Sequence, residues 1–212
     1  MKIKGLLLIG LIGLSLGSCI DHEVIPPPTP EVDLTCSFEG NIGGQFIEYT
    51  RFVGGYDGVS EMSFQSEFGV NTAKYSFAMM SNQSSAYVRV RLGSIVWSDG
   101  SGTNSPELSL FNSFFQTNTE PDYSDDAVNG FEVSYRTSAG IIFTSREGSV
   151  FPQDVEFEPA SIIQESDESG DYSKFTCNFD CYVYYDYLDD LGDPQTDSIL
   201  IQNAVYKGWF RR

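Results

Sequence analysis

The sequence has a single histidine, His22, and this scarcity excludes more chemistry than any residue present assigns. Beyond position 22 there is no imidazole for a Ser-His-Asp or Cys-His arrangement and none to ligate zinc. No G-x-x-x-x-G-K-[ST] or G-x-G-x-x-G run is present to cradle a phosphate. The four cysteines, Cys19, Cys36, Cys177 and Cys181, contain no C-x-x-C pair. Positive charge is equally scarce. Twelve Lys and Arg stand against thirty Asp and Glu, a net charge of −18. A field of that sign repels nucleic acid and anionic membrane surfaces, whereas neutral glycans, cationic peptides or proteins and divalent cations remain compatible partners. After residue 16 no apolar run is long enough to span a bilayer as a helix.

The first residues are of a different character. Lys2 and Lys4 precede the apolar run Leu6 to Leu16, about half of the roughly 20 residues that a stable membrane helix needs. It reads as the h-region of a signal peptide covering residues 1–18. The run ends in Leu16-Gly17-Ser18-Cys19, which resembles the lipobox of bacterial lipoproteins processed by signal peptidase II. That resemblance implies cleavage before Cys19, a diacylglycerol thioether on its sulfur and an acyl chain such as palmitate on its new amine. One chain holds a protein to a membrane only marginally, but two or more hold it stably. Ile20-Asp21-His22-Glu23 is similar to the acidic surface-export signals of some Gram-negative lipoproteins. The implied location is the outer membrane, with the choice between surface and periplasmic face left open. Pro26-Pro27-Pro28-Thr29-Pro30 favours extended polyproline II, so residues 19–33 read as a lipidated tether. With Lys2 and Lys4 removed, ten cations against thirty acids leave the mature chain at −20.

Residues 34–212 form one domain of sufficient length for a real core. Phe175, Cys177, Phe179, Cys181 and Val183 alternate with polar or tyrosine positions, as do Leu34, Cys36 and Phe38 and, with opposite neighbours Tyr87, Arg89 and Arg91, Val88, Val90 and Leu92. This is the period of half-buried strands. Candidate strands cover 34–39, 45–52, 73–81, 86–97, 130–136, 140–144, 161–164, 172–187 and 198–210, separated by turn signals such as Gly43-Gly44, Asp99-Gly100 and Gly192-Asp193-Pro194. Ser105-Pro106-Glu107, followed by Leu108, Phe111 and Phe115 at helical spacing, predicts one short helix. The expected fold is all-β, a single antiparallel β-sandwich, with a closed β-barrel as the alternative. Phe38-Glu39-Gly40-Asn41-Ile42-Gly43-Gly44 and Asn203-Ala204-Val205-Tyr206-Lys207-Gly208-Trp209-Phe210 resemble segments of small β-sandwich envelope lipoproteins, a resemblance that implies fold and location but no activity.

On a straight strand Cys177 and Cys181 stand about 13 Å apart, twice the reach of a disulfide. The expectation is therefore a bridge from Cys36 to Cys177 or to Cys181; the alternative is three buried, reduced thiols. If the cysteine side of that strand is the core, Asn178, Asp180, Tyr182 and Tyr184 face outward. Tyrosines beside amide and carboxylate groups suit a sugar-binding surface, and they also stabilise ordinary sheets. Glu165–Asp171 and Asp186–Asp193 offer oxygen ligands of the kind Ca²⁺ takes, although neither follows the EF-hand spacing and each also reads as a solvated hairpin loop. Asp197-Ser198-Ile199 resembles a bacterial O-glycosylation acceptor, with Ser198 as the modified residue. Thirty carboxyls give no glycosidase pair by spacing alone. The reading is a non-enzymatic envelope lipoprotein, without a fixed metal or cofactor, that binds a glycan or another envelope component. A partner role in an outer-membrane protein complex and a carboxylate glycosidase are its rivals.

Overall fold

The computed structural model describes residues 31–98, 104–125, 129–148 and 153–212. The signal, Cys19, most of the tether and the Asp99-Gly100 turn lie outside these residues. The compact unit runs from Glu31 to Arg212. It is antiparallel β throughout, with strands β1 (Ser37–Ile42), β2 (Gln45–Thr50), β3 (Tyr56–Glu67), β4 (Val70–Ser81), β5 (Tyr87–Trp97), β6 (Phe131–Arg136), β7 (Ile142–Ser145), β8 (Asp154–Phe157), β9 (Ile163–Asp167), β10 (Gly170–Leu188) and β11 (Pro194–Arg211). An α-helix, α1 (Leu108–Thr117), follows β5 and buries Phe111 and Phe115, at the position and with the residues that the sequence predicts.

A single sheet in the order β2-β1-β11-β10-β7-β6-β5-β4-β3 contains all the strands, with β8 and β9 also paired to β10. It curls into a half-barrel, bringing its two halves face to face as in a sandwich while one hydrogen-bonded path joins them. The closed-barrel alternative is not met, because β2 and β3 end the path at opposite sides. The β1–β2 hairpin turns on Gly43 and Gly44, both at positive φ (59° and 81°), the conformation that a type I′ hairpin turn demands of both its central residues.

The core is unusually aromatic. Phe77, Phe131, Phe210, Tyr75 and Tyr206 are fully buried. Phe210 stacks between Phe115 at 4.7 Å and Phe175 at 4.6 Å, and Phe77 lies 4.6 Å from Trp209. Tyr206 ties the two halves together: its hydroxyl donates to the Val88 carbonyl and accepts the Met79 N–H, both at 2.7 Å. Strand β11 supplies most of these anchors because it runs between β1 and β10. A bulge at Asn203, with φ 51°, shifts its parity midway.

Carboxylates pin the ends of the unit. Asp167 accepts the Val32 N–H at 2.8 Å, and Asp171 pairs with Arg212 at 2.5 Å. The Ser169 hydroxyl and the Val32 N–H hold Asp167 at a pKa of about 2, and the Ser166 hydroxyl followed by Arg212 lowers Asp171. An unfolded Asp titrates near 3.9. Depressed folded values therefore favour the native state above that pH, and the contribution is lost as pH falls through them. The thermal midpoint, followed by circular dichroism, is expected to be level between about pH 7 and 5 and to fall between about pH 4 and 2. A midpoint independent of pH down to about 2 would contradict this.

The expected disulfide is absent: Cys36, Cys177 and Cys181 are free and buried. The register explains why. Tyr206 of β11 pairs with Phe38 on one side and Cys177 on the other, so β11 stands between β10, which carries Cys177 and Cys181, and β1, which begins directly after Cys36; the flanking strands are two strand spacings apart, about 10 Å. Disulfide Cα atoms must approach within about 7 Å. Burial raises Cys36 to about 11 and Cys181 to about 12, and pushes Cys177 up as well. Iodoacetamide at about pH 8 is expected to label none of the three in the folded protein and all three in guanidinium without reductant. Labelling that required prior reduction would restore the bridge.

Candidate functional site

The four outward residues proposed on β10 do share a face, since Cys177, Phe179, Cys181 and Val183 are buried while Asn178, Asp180, Tyr182 and Tyr184 are half-exposed. The structure nevertheless divides them between two grooves. Asn178 and Asp180 line a groove of about 330 Å³ with Asp154, Glu156 and Asn203. Asp180 there serves the backbone: its carboxylate accepts the Asn203 N–H at 2.5 Å and holds the bulge in β11. Asn178 donates to Glu158 at 3.2 Å. Tyr182 stands beside Tyr184, ring centroids 6.2 Å apart.

Tyr184 belongs to a larger groove of about 480 Å³ on the outer face of β5, β6, β7 and β10. Its floor follows from register. Arg89 pairs with Ser134, Ser134 with Thr144, and Thr144 with Tyr184. A guanidinium, two hydroxyl side chains and a phenol thus form one row across four strands, about 14 Å from end to end. Because side chains alternate along each strand, the same faces also present Tyr87 and Arg91 from β5 and Glu132 from β6.

Charge pairs fix the walls. Glu132 is 2% exposed; it lies 3.3 Å from Arg91 and accepts the Ser134 hydroxyl at 3.2 Å. Arg146, just past β7, lies 4.8 Å over the Tyr184 ring and pairs with Asp186. Asp186 also accepts the Thr196 hydroxyl at 2.5 Å. The Arg146 hydrogen bond, then that of Thr196, lowers the Asp186 pKa. Asp33, Asp167, Asp171 and Asp189 are lowered as well. The groove presents donors, acceptors and aromatic faces held in place by mutual contacts, an arrangement suited to binding.

The sequence reading isolated Tyr184 but not Arg89, Arg91, Glu132 or Arg146. The alternation of Tyr87, Arg89 and Arg91 was the available signal, since it puts two of a scarce residue type on one strand face. The acidic loops use their oxygens internally. Asp167 accepts the Ser169 and Gly170 N–H groups, and Asp189 those of Leu191 and Asp193. Among the described residues no group of three or more His, Cys, Asp or Glu is placed to hold a metal. Ser198 is exposed on β11, opposite Tyr184. No protein-family model, no curated protein and no solved structure matches the chain.

Proposed function

We propose that the protein is an outer-membrane lipoprotein, anchored through lipid on Cys19, that binds a glycan without transforming it in the groove between Arg89 and Tyr184. The observation that carries the binding reading is the in-register row Arg89-Ser134-Thr144-Tyr184. A sugar ring stacks on a phenol, and fixed hydroxyl, guanidinium and carboxylate groups orient its hydroxyls. The anchor rests on Leu16-Gly17-Ser18-Cys19. Cys19→Ala is expected to move the protein from the membrane to the soluble fraction and to abolish lipid labelling. In a glycan-binding panel, Tyr184→Ala is expected to weaken the retained sugar by about two- to tenfold, the scale of losing one stacking contact of about 0.5–1.5 kcal/mol. Wild type that retains no glycan would remove the reading, and one that releases a cleaved product would replace it with the glycosidase.

A second reading, partnership in an outer-membrane complex, is favoured by the end of the β10–β11 hairpin. Leu188 is 68% and Leu191 87% exposed there, and β7 pairs with β10 only as far as Tyr184. Crosslinking from Leu191 in intact cells tests this reading: a discrete protein adduct supports it, and none counts against it.

A further inference from the structure

The β3–β4 hairpin ends in a turn that the stability of the domain does not account for. Glu67 pairs with Val70, so Phe68 and Gly69 form the whole loop, and both stand at positive φ (51° and 80°). Gly, Asn and Asp suit such positions, whereas a phenylalanine strains the backbone there. The Phe68 ring is fully exposed and covers nothing in the domain. Exposed Val70 and Val96 lie behind it on one face, since Val96 pairs with Thr72. On the other face Phe64 and Trp97 pack together at 5.8 Å. From Met62 to Ala73 the one charged residue is Glu67, in a chain of which 20% of residues are charged. The tip is therefore a nearly neutral, apolar projection on a strongly acidic protein.

Its place in the fold decides what it meets. Gly58 of β3 lies against Trp209, and the Ser60 hydroxyl accepts the Arg211 N–H at 2.9 Å. Strand β3 thus runs in the same direction as the end of β11 and continues past it, with about 23 Å of strand from Ser60 to Glu67. The chain enters the unit at this same end. Arg212 pairs with Asp171, and Asp167, across the β9–β10 turn, accepts the Val32 N–H. Cys19 lies twelve residues before Glu31, a reach of at most about 43 Å. Strand β10 starts beside the entry point at Gly170 and arrives at Tyr184, in the groove, only after about 45 Å of strand.

We infer that Phe68, with Val70 and Val96 behind it, inserts into the lipid surface to which Cys19 is anchored, so that the β3–β4 hairpin is a second, non-covalent membrane contact. The inference rests on the anchor in the proposed function and adds the orientation of the domain. A lipid on Cys19 limits distance from the surface but not tilt. A contact on the entry side sets the tilt and keeps the groove, toward the opposite end, clear of the lipid. Lipid is the favoured occupant because the anchor brings that surface, and no other, to this end of the domain. Apolar side chains on such a projection bury their area at the boundary of headgroups and acyl chains. Asp167, Glu168 and Asp171 at the same end match a zwitterionic surface rather than an anionic one.

The test is fluorescence quenching by brominated lipid. The full chain, purified from membranes, is added to phosphatidylcholine vesicles with brominated or ordinary acyl chains, and flotation with the vesicles reports anchoring. Phe68→Trp places a reporter at the tip and Leu191→Trp one at the far end, each read above the wild-type signal of Trp97 and Trp209. The added fluorescence of Phe68→Trp is expected to fall about twofold or more on brominated chains, and that of Leu191→Trp to stay unchanged. Val70→Trp should also be quenched. Combining it with Phe68→Asn, a residue suited to the turn, should remove that quenching without lowering the melting temperature. Absence of quenching in Phe68→Trp on vesicles that float with the protein overturns the inference and leaves the anchor standing. Equal quenching at both ends, or quenching of Val70→Trp that Phe68→Asn leaves unchanged, overturns it in the same way. Failure of the wild-type chain to float overturns the anchor and this inference with it.

Discussion

Deleting Lys207–Arg212 is expected to leave the domain unfolded. The segment is short, but it lies in β11 with partners on both edges: Lys207 pairs with Ser37 of β1 and Thr176 of β10, and Phe210 and Arg211 pair with Ser173 and Tyr172. Trp209 is 5% and Phe210 0% exposed. Phe210 fills the slot between α1 and β10, stacked on both Phe115 and Phe175. Loss of one such aromatic costs about 3–5 kcal/mol. Two together, with the backbone pairing of a central strand, consume most or all of the roughly 5–15 kcal/mol by which a domain is stable. Circular dichroism of the truncated protein should show no cooperative melt, or the protein should be insoluble. A midpoint equal to wild type would mean that this strand is not part of the core.

Gly208→Ala is expected to destabilise through packing alone. Gly208 is not at positive φ, so an added methyl group meets no backbone penalty. It would, however, fall 2.4 Å from the ring of Phe77. That ring is 0% exposed and is confined by Trp209 at 4.6 Å, Tyr206 at 5.6 Å and Phe175 at 6.0 Å. From another strand, a methyl group on Gly58 would come within 2.3 Å of Trp209 and 2.8 Å of Phe77. The two glycines leave the space that these large rings occupy. Overpacking of this kind costs about 1–3 kcal/mol, and about 2–4 °C accompanies each kcal/mol in a domain of this size. A fall of about 2–12 °C is therefore expected. Phe77→Leu should lower stability by itself, yet combined with Gly208→Ala it should lose less than the two separate losses added together. Strict additivity would place the strain elsewhere.

Where the chain alternates strongly, the sequence is a reliable guide to the fold. The run from Tyr172 to Tyr187 lies inside β10, and the helix over Leu108, Phe111 and Phe115 is α1. Two strands escaped notice for physical reasons. In β3, Tyr-Asp-Gly-Val-Ser-Glu-Met-Ser-Phe-Gln-Ser-Glu, the faces are half-buried or exposed because it is an edge strand, and an edge imposes little hydrophobic alternation. Strand β8 has only Val155 and Phe157 to mark it, between prolines that read as loop. The curl of one sheet into a half-barrel was not legible, because it depends on which distant strands pair. For the same reason the cysteines could not be paired from parity, since β11 enters between β1 and β10 from the far end of the chain. The groove was half legible. Tyr184 follows from the parity of its own strand, but Arg89 reaches the same row only through three cross-strand registers.

Backbone amide shift mapping with a bound oligosaccharide tests the central claim, that the outer groove is the binding site, most directly. Shifts are expected along the row at Arg89, Ser134, Thr144 and Tyr184 and at Arg146, with the amides of Asn178, Asp180 and Asn203 undisturbed. Perturbation confined to that acidic groove, or to Leu188 and Leu191 at the hairpin tip, would contradict the account.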